Sequence, residues 1–239
     1  MKVEVTELTK KYFGGTDVLH DVSFCADAGQ INVIYGGRWS GKTTLLHVIA
    51  GLEDYQSGHV LLDGREIKDI HPRERDLAVF LETKPFFGRK TALKNIVYPL
   101  KIRGVKKERY EMGTRAAERV GLGLGLLDKP AYMLTPEQAA LTQIARMIVV
   151  DRGLYLLDNP LRHFSGDDRD EAFARLRVLL SELKGTVIYA TDSSREAEAF
   201  GVASVLSLKY GYPADRYPLT EEEQQEVEEN FYQNTKHVF

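Results

Sequence analysis

Apolar and polar residues alternate at Val3 and Val5 and again across Val18–Phe24, a period that predicts strands of an antiparallel sheet. Gly14-Gly15 and Ala28-Gly29 mark turns around them. Ile31–Tyr35 is short and almost wholly apolar, as expected of a strand buried on both faces of a parallel sheet. The pattern then changes to helical over Thr43–Ala50, with Gly51 placed to end the helix. Gly58–Leu62, Asp63-Gly64 and Arg65–Ile67 read as a hairpin with a favourable Asp-Gly turn.

The middle of the chain is helical. Met112, Ala116 and Val120 recur at helix spacing, as do Ala140, Ile144 and Ile148. Two further buried strands, Leu154–Asp158 and Val187–Thr191, are separated by a helix over about residues 168–183. Strand, helix and strand in that order predict a parallel α/β sheet. Past Tyr212 the composition turns acidic. Thr220 followed by Glu221, Glu222 and Glu223 opens like a capped helix, read as a solvated surface helix or loose tail, with a docking element for a basic partner as the alternative.

Composition narrows the class. With 239 residues, 43% apolar and 28% charged, the chain can bury a sizeable core and does not resemble a disordered polymer. A net charge of -3 gives no basic field to attract nucleic acid. The single cysteine, Cys25, forms no internal disulfide framework and fits a reducing compartment. No apolar run is long enough to cross a bilayer, and the early acids of MKVEVTELTKKYF are unlike a signal peptide. The expectation is a cytosolic chain that reaches a membrane only through a partner. The six histidines show no ligand spacing, and Gly121-Leu122-Gly123-Leu124-Gly125 follows a helix, so it reads as a helix stop and turn.

The strongest chemistry is Gly36-Gly37-Arg38-Trp39-Ser40-Gly41-Lys42-Thr43, which matches G-x-x-x-x-G-K-[ST] between an expected strand and an expected helix. Glycines there let backbone N–H groups wrap phosphates, and the following helix N-terminus adds positive character. Lys42 can reach the β- and γ-phosphates, the Thr43 hydroxyl can ligate Mg²⁺, and Thr44 follows in the same first turn. Trp39 is unusual in such a loop: the indole either crowds the γ-phosphate and alters the backbone, or points outward harmlessly. Asp158, ending the apolar strand Leu154–Asp158, supplies an acid to hold Mg²⁺ through water.

Over about residues 1–212 the chain resembles the ATP-binding subunits of ABC transporters, and most of all their sugar-importer (maltose-type) branch. LTKKYFGGTDVLHDVSF, TTLLHVIAGLEDYQSGHVLLDGREI, PRERDLAVF and NIVYPLKIRGVKKE carry the likeness. The resemblance implies an α/β P-loop NTPase fold of the ABC ATPase type: a parallel core sheet, an antiparallel β subdomain and a helical subdomain at about residues 84–150. Residues 213–239 remain as the acidic tail. It implies ATP and Mg²⁺ as ligands, and a head-to-tail pairing with a second ATP-binding subunit. It also implies integral membrane permease subunits as partners. Tyr12 falls where the family stacks an aromatic on adenine, though it also suits a structural strand position. Phe86-Phe87 lies in the loop expected to meet the permease, where a docking role and a core role are equally open. Sugar importers of this branch usually carry a further C-terminal β domain, and the expectation here is that it is missing or was removed.

The departures from the family pattern are chemical. Its glutamine after the VF strand aligns with Glu82, which could still bind Mg²⁺ but adds negative charge. Its catalytic glutamate aligns with Asn159, an amide that cannot take a proton from water. Loss of a general base costs about 10²–10⁴-fold in rate. Its switch histidine aligns with Asp192, and like charges at 4 Å repel by about 1 kcal/mol in water and about 4 kcal/mol near a protein surface. The aspartate of the inter-subunit loop aligns with Ser165. The signature LSGGQ reads Leu134-Thr135-Pro136-Glu137-Gln138, where Pro136 removes an N–H and Glu137 adds a negative charge. The same segment is a good helix start, with Thr135 as N-cap, Pro136 at the first position and Gln138 closing a capping box.

These substitutions predict a degenerate subunit that binds MgATP, hydrolyses it poorly and pairs with a non-identical, active ATP-binding subunit. It would sit peripherally on the inner face of the cell membrane through the permease. The alternatives are a regulatory or structural pseudo-ATPase with no transport role, and an active ATPase with compensating residues.

Overall fold

The computed structural model describes residues 1–12, 17–81, 87–200 and 205–216. In chain order these form β1 (Val3–Lys11), β2 (Asp17–Ala26), β3 (Ile31–Gly36), α1 (Lys42–Ile49), β4 (Ser57–Leu62), β5 (Arg65–Glu66) and β6 (Leu77–Phe80). Helices α2 (Ala92–Ile96), α3 (Tyr98–Ile102), α4 (Arg109–Val120) and α5 (Pro136–Ile148) follow. The chain continues through β7 (Leu154–Asp158), α6 (Gly166–Ser181), β8 (Thr186–Thr191), α7 (Ser194–Ala199), β9 (Val205–Lys209) and β10 (Tyr212–Pro213). Two compact units result, one of Met1–Leu77 with Thr186–Phe239 and one of Ala78–Gly185.

The first unit holds both expected kinds of sheet. An antiparallel sheet runs in the order β2-β1-β4-β5. Val3 and Val5 face Ala26 and Phe24 on one side and Leu62 and Val60 on the other, so their side chains are buried while Glu7 and Lys11 stay exposed. The register slips after Val5, and Glu7 takes a left-handed φ of 47°. An extra residue at that bulge keeps Leu8 facing inward although it is three residues from Val5. The Asp63-Gly64 turn joins β4 to β5 with φ of 48° and 76°, the handedness a tight hairpin needs. The hairpin's second strand stops at Glu66, because Ile67 enters a 3-10 turn and turns into the core.

The other sheet of this unit has β3 between β8 and β9, both parallel to it, with β10 antiparallel to β9. Tyr35 pairs with Thr191 and Gly36 with Leu208, so Gly37 and Asp192 leave the sheet at the same end, where the parallel strands finish. Pro213 still pairs with Leu208, and a 3-10 turn covers Ala214–Arg216. The expected acidic helix after Thr220, the Gly14-Gly15 turn, Glu82 and Phe86 lie outside the described residues.

The second unit packs α2, α4 and α5 together, and β7 lies beside β6. All five residues of β7 are buried, as an apolar run bounded by turns requires. Ala140, Ile144 and Ile148 form the buried stripe of α5. On α4 the expected stripe needs one correction. Met112 is 38% exposed, and the buried face is Gly113, Ala116, Ala117 and Val120. The helix is turned so that Gly113 meets α2. A Cβ at that position would lie 2.4 Å from Val97 Cγ1, so the side chain of Met112 is turned away from this close approach.

Candidate nucleotide site

The phosphate loop grows from β3, whose buried apolar run ends at Gly36. The Ser40 N–H turns back to the Gly37 carbonyl at 3.4 Å, and Gly41 then opens α1 at a φ of 93°. A Cβ on Gly41 would meet Leu19 Cδ2 at 2.8 Å and the Val18 carbonyl oxygen at 2.9 Å, so only glycine fits. No side chain caps α1, and its first turn carries no acid. The positive end of the helix, with no acid in its first turn, therefore suits an anion.

The Lys42 ammonium arches over the loop. It donates to the carbonyls of Gly36 and Gly37, each at 2.7 Å, and to Ser40 Oγ at 3.1 Å. The loop thus positions its own cation among its turns. Thr43 is exposed at the start of α1 and Thr44 is buried. Trp39 keeps the left-handed backbone that glycine would take, at φ 68°, and its half-buried ring has the Arg38 guanidinium 4.6 Å from its centre. That backbone costs roughly 1–2 kcal/mol for a residue with a Cβ. The tight hairpin turn between β9 and β10, with Tyr210 at φ 46° and Gly211 at φ 86°, is bonded to the loop from outside. The Gly211 N–H donates to the Ser40 carbonyl at 3.1 Å, and the Gly211 carbonyl accepts from the His20 N–H at 2.9 Å.

Tyr12 follows β1 and reaches the same helix. Its hydroxyl donates to Glu53 Oε2 at 2.5 Å and lies 3.4 Å from Thr44 Oγ1. Burial, reinforced by the Glu53 carboxylate, pushes the Tyr12 phenol up to about 12. For Glu53 burial works the other way from its hydrogen bonds, and the bonds to Tyr12 and His47 prevail, holding its carboxyl below the usual range. Sequence reasoning missed Glu53. It lies six residues from His47 across the end of a helix, a separation with no regular period to read.

At the end of β8, Thr191 and Tyr189 both donate to the buried Glu196 Oε2 at 2.8 Å. The Ser193 N–H donates to Thr191 Oγ1 at 3.1 Å, and Ser193 caps α7. Asp192 stands exposed on this braced turn. The first unit therefore brings together the phosphate loop, Tyr12, Thr44 and, at the same end of the parallel strands, Asp192.

In the second unit Asp158 ends β7 and is buried, with Asn159 after it at φ 44°. Asparagine tolerates that conformation better than most residues. Ser165 precedes α6 as its N-cap residue but makes no side-chain cap bond. The signature segment forms the full capping box. The Gln138 N–H donates to Thr135 Oγ1 at 3.3 Å, and the Thr135 N–H donates to Gln138 Oε1 at 3.2 Å. Leu134 is half-buried just before it. Hydrogen bonds from its own N–H and the Thr135 hydroxyl hold the Glu137 carboxyl below the usual range, so it is anionic at neutral pH. Nearby, buried Asn95 accepts from the Phe87 N–H at 3.0 Å and donates to the Phe87 carbonyl at 3.2 Å. It thereby fixes the Phe87 ring 4.6 Å from Tyr98, with Lys90 and Arg146 over both rings.

The family described as ABC transporter matches residues 19–162. The sn-glycerol-3-phosphate import ATP-binding protein UgpC 2 of Agrobacterium fabrum is 33% identical over 222 residues, covering 90% of this chain and 59% of that protein. The lactose transport ATP-binding protein LacK of Rhizobium radiobacter is 30% identical over 196 residues, covering 82% of this chain and 54% of that protein. The sulfate/thiosulfate import ATP-binding protein CysA of Escherichia coli K12 is 33% identical over 203 residues, covering 82% and 55%. The chain thus spans little more than half the length of these relatives. Among solved structures, the ATP-binding cassette MJ0796, dimeric and bound to ADP and Pi, matches with a TM-score of 0.80 at 23% identity. That match covers 89% of this chain and 96% of the other, and it establishes the fold. On the sequence match and the fold together, this chain belongs to the ABC transporter family, as one of its ATP-binding domains.

Proposed function

We propose that this chain is the nucleotide-binding subunit of an importer for a sugar or another polar solute, that it holds MgATP, and that it hydrolyses ATP poorly. The residues fit the ligand. The start of α1 and the Lys42 ammonium suit a polyphosphate; the Thr43 hydroxyl of the first unit and, taken separately, the buried Asp158 carboxylate of the second are each of the chemical kind that ligates Mg²⁺. Bound Mg²⁺ would neutralise phosphate charge. Glu82 is a further candidate ligand, outside the described residues.

The observation that carries weak hydrolysis is the capping box. Thr135 and Gln138 are spent on closing their own helix, Pro136 has no N–H to give, and Glu137 presents negative charge. A segment so arranged repels a phosphate from across a dimer where the family's glycines would bind one. Asn159, for its part, cannot accept a proton from water. These features favour pairing with a non-identical ATP-binding subunit that supplies the hydrolytic groups. The braced Phe87–Tyr98 pair offers an aromatic surface for permease subunits. No helix among the described residues is long and apolar enough to cross a membrane, so attachment at the inner face would be through them.

Calorimetry of ATP and Mg²⁺ binding, run beside phosphate release with Lys42→Ala as control, tests the reading. Binding lost in the variant and no turnover by the chain alone is the expected result. Turnover by the wild-type chain that the variant loses would overturn the claim of weak hydrolysis.

A further inference from the structure

Three groups converge on Glu53. Tyr12 donates to Oε2 at 2.5 Å, His47 Nδ1 lies 3.0 Å from Oε1, and the Lys10 ammonium is 3.7 Å from Oε2. Lys10 also stands 4.7 Å from the centre of the Tyr12 ring and so occupies one of its faces. The ring is half-buried, and its hydroxyl is within 3.4 Å of Thr44, two residues past Lys42 on α1. A flat aromatic side chain is thereby held against the first turn of α1, the helix that follows the phosphate loop.

We propose that Glu53 is a positioning residue for nucleotide binding: by accepting the Tyr12 hydroxyl it fixes the ring as the platform on which the base stacks. This rests on the reading of the loop as a nucleotide site. Tyr12 lies just past the end of β1, and without the tie its two side-chain torsions would be ordered only when a nucleotide binds. The bond to Glu53 does that ordering in advance and registers the ring to the helix that receives the phosphates. His47, from the same helix, braces the other carboxylate oxygen.

The test compares ATP with inorganic tripolyphosphate, which carries the phosphates without the base. Glu53→Ala is expected to weaken ATP binding by about three- to tenfold, the cost of ordering one side chain on binding, and to leave tripolyphosphate unchanged. Tyr12→Phe removes the tie but keeps the ring, so it should show the same selective loss, and the double variant no further loss. If Glu53→Ala does not fold, Tyr12→Phe alone reads the tie. Equal losses for both ligands would mean a general effect on the loop and overturn the proposal, as would additive losses or none. A wild-type chain that binds tripolyphosphate and ATP with equal affinity overturns this inference alone. One that binds neither overturns the nucleotide reading beneath it.

Discussion

Arg38 and Trp39 form a stacked pair on the phosphate loop, the guanidinium 4.6 Å from the ring centre, and the tryptophan holds a backbone conformation that normally belongs to glycine. Three magnitudes decide what Trp39→Gly does. Relief of the left-handed backbone returns about 1–2 kcal/mol. The freer unfolded chain takes back about 0.5–1 kcal/mol, and loss of the cation–π contact another 0.5–1 kcal/mol at an exposed site. The expected change in thermal midpoint is therefore near zero. Trp39 is also the chain's one tryptophan, so its fluorescence should change on adding MgATP and stay flat in Lys42→Ala.

Gly41 and Gly37 should respond oppositely to the same substitution. Gly41→Ala places a Cβ 2.8 Å from Leu19 and 2.9 Å from a backbone oxygen at a φ of 93°, and should cost about 1–3 kcal/mol or more. At Gly37 a Cβ meets nothing within 4 Å, and Gly37→Ala should stay within about 0.5 kcal/mol. Urea unfolding of the two variants checks both.

Removing the hydroxyl of the capping box, Thr135→Ala, should destabilise the chain by about 1 kcal/mol. Thr135→Ser, which keeps the acceptor, should restore most of that loss in the same unfolding assay.

Asn159→Glu restores a proton acceptor at a residue with φ 44°. Phosphate release by the variant should rise above that of the wild-type chain, but by less than the about 10²–10⁴-fold a general base supplies, because Asp192 remains. Glutamate tolerates that backbone less well than asparagine, so the thermal midpoint should fall at the same time.

The Glu53 carboxyl is held below its ordinary value of 4.5 in the folded state. A depressed carboxyl contributes stability above its unfolded value and loses it as pH falls through the folded one. Wild-type stability should therefore drop more steeply than that of Glu53→Gln between about pH 5 and pH 3. Parallel slopes in denaturant titrations across that range would contradict it.

How much of this was legible in the residues depended on range. The Ile31–Tyr35 run, the Asp63-Gly64 turn and the Thr135–Gln138 cap are encoded by neighbours, and local propensity decided each. Met112 was misplaced because Gly113 admits α2 closely, a packing fact that helix periodicity does not contain. Glu53 escapes a sequence reading because its value comes from Tyr12, 41 residues earlier, with β2, β3 and α1 between them. At Trp39 the residues alone allow either direction, because only the backbone angle says which way its turn runs.

The bond from Gly211 to Ser40 joins the phosphate loop to a turn made much later in synthesis. A chain leaving the ribosome N-terminus first exposes β3, the loop and α1 long before that turn exists. The loop would acquire its final brace only once residue 211 is free to fold back, so an abandoned nascent chain would carry the whole motif and still lack this outer support.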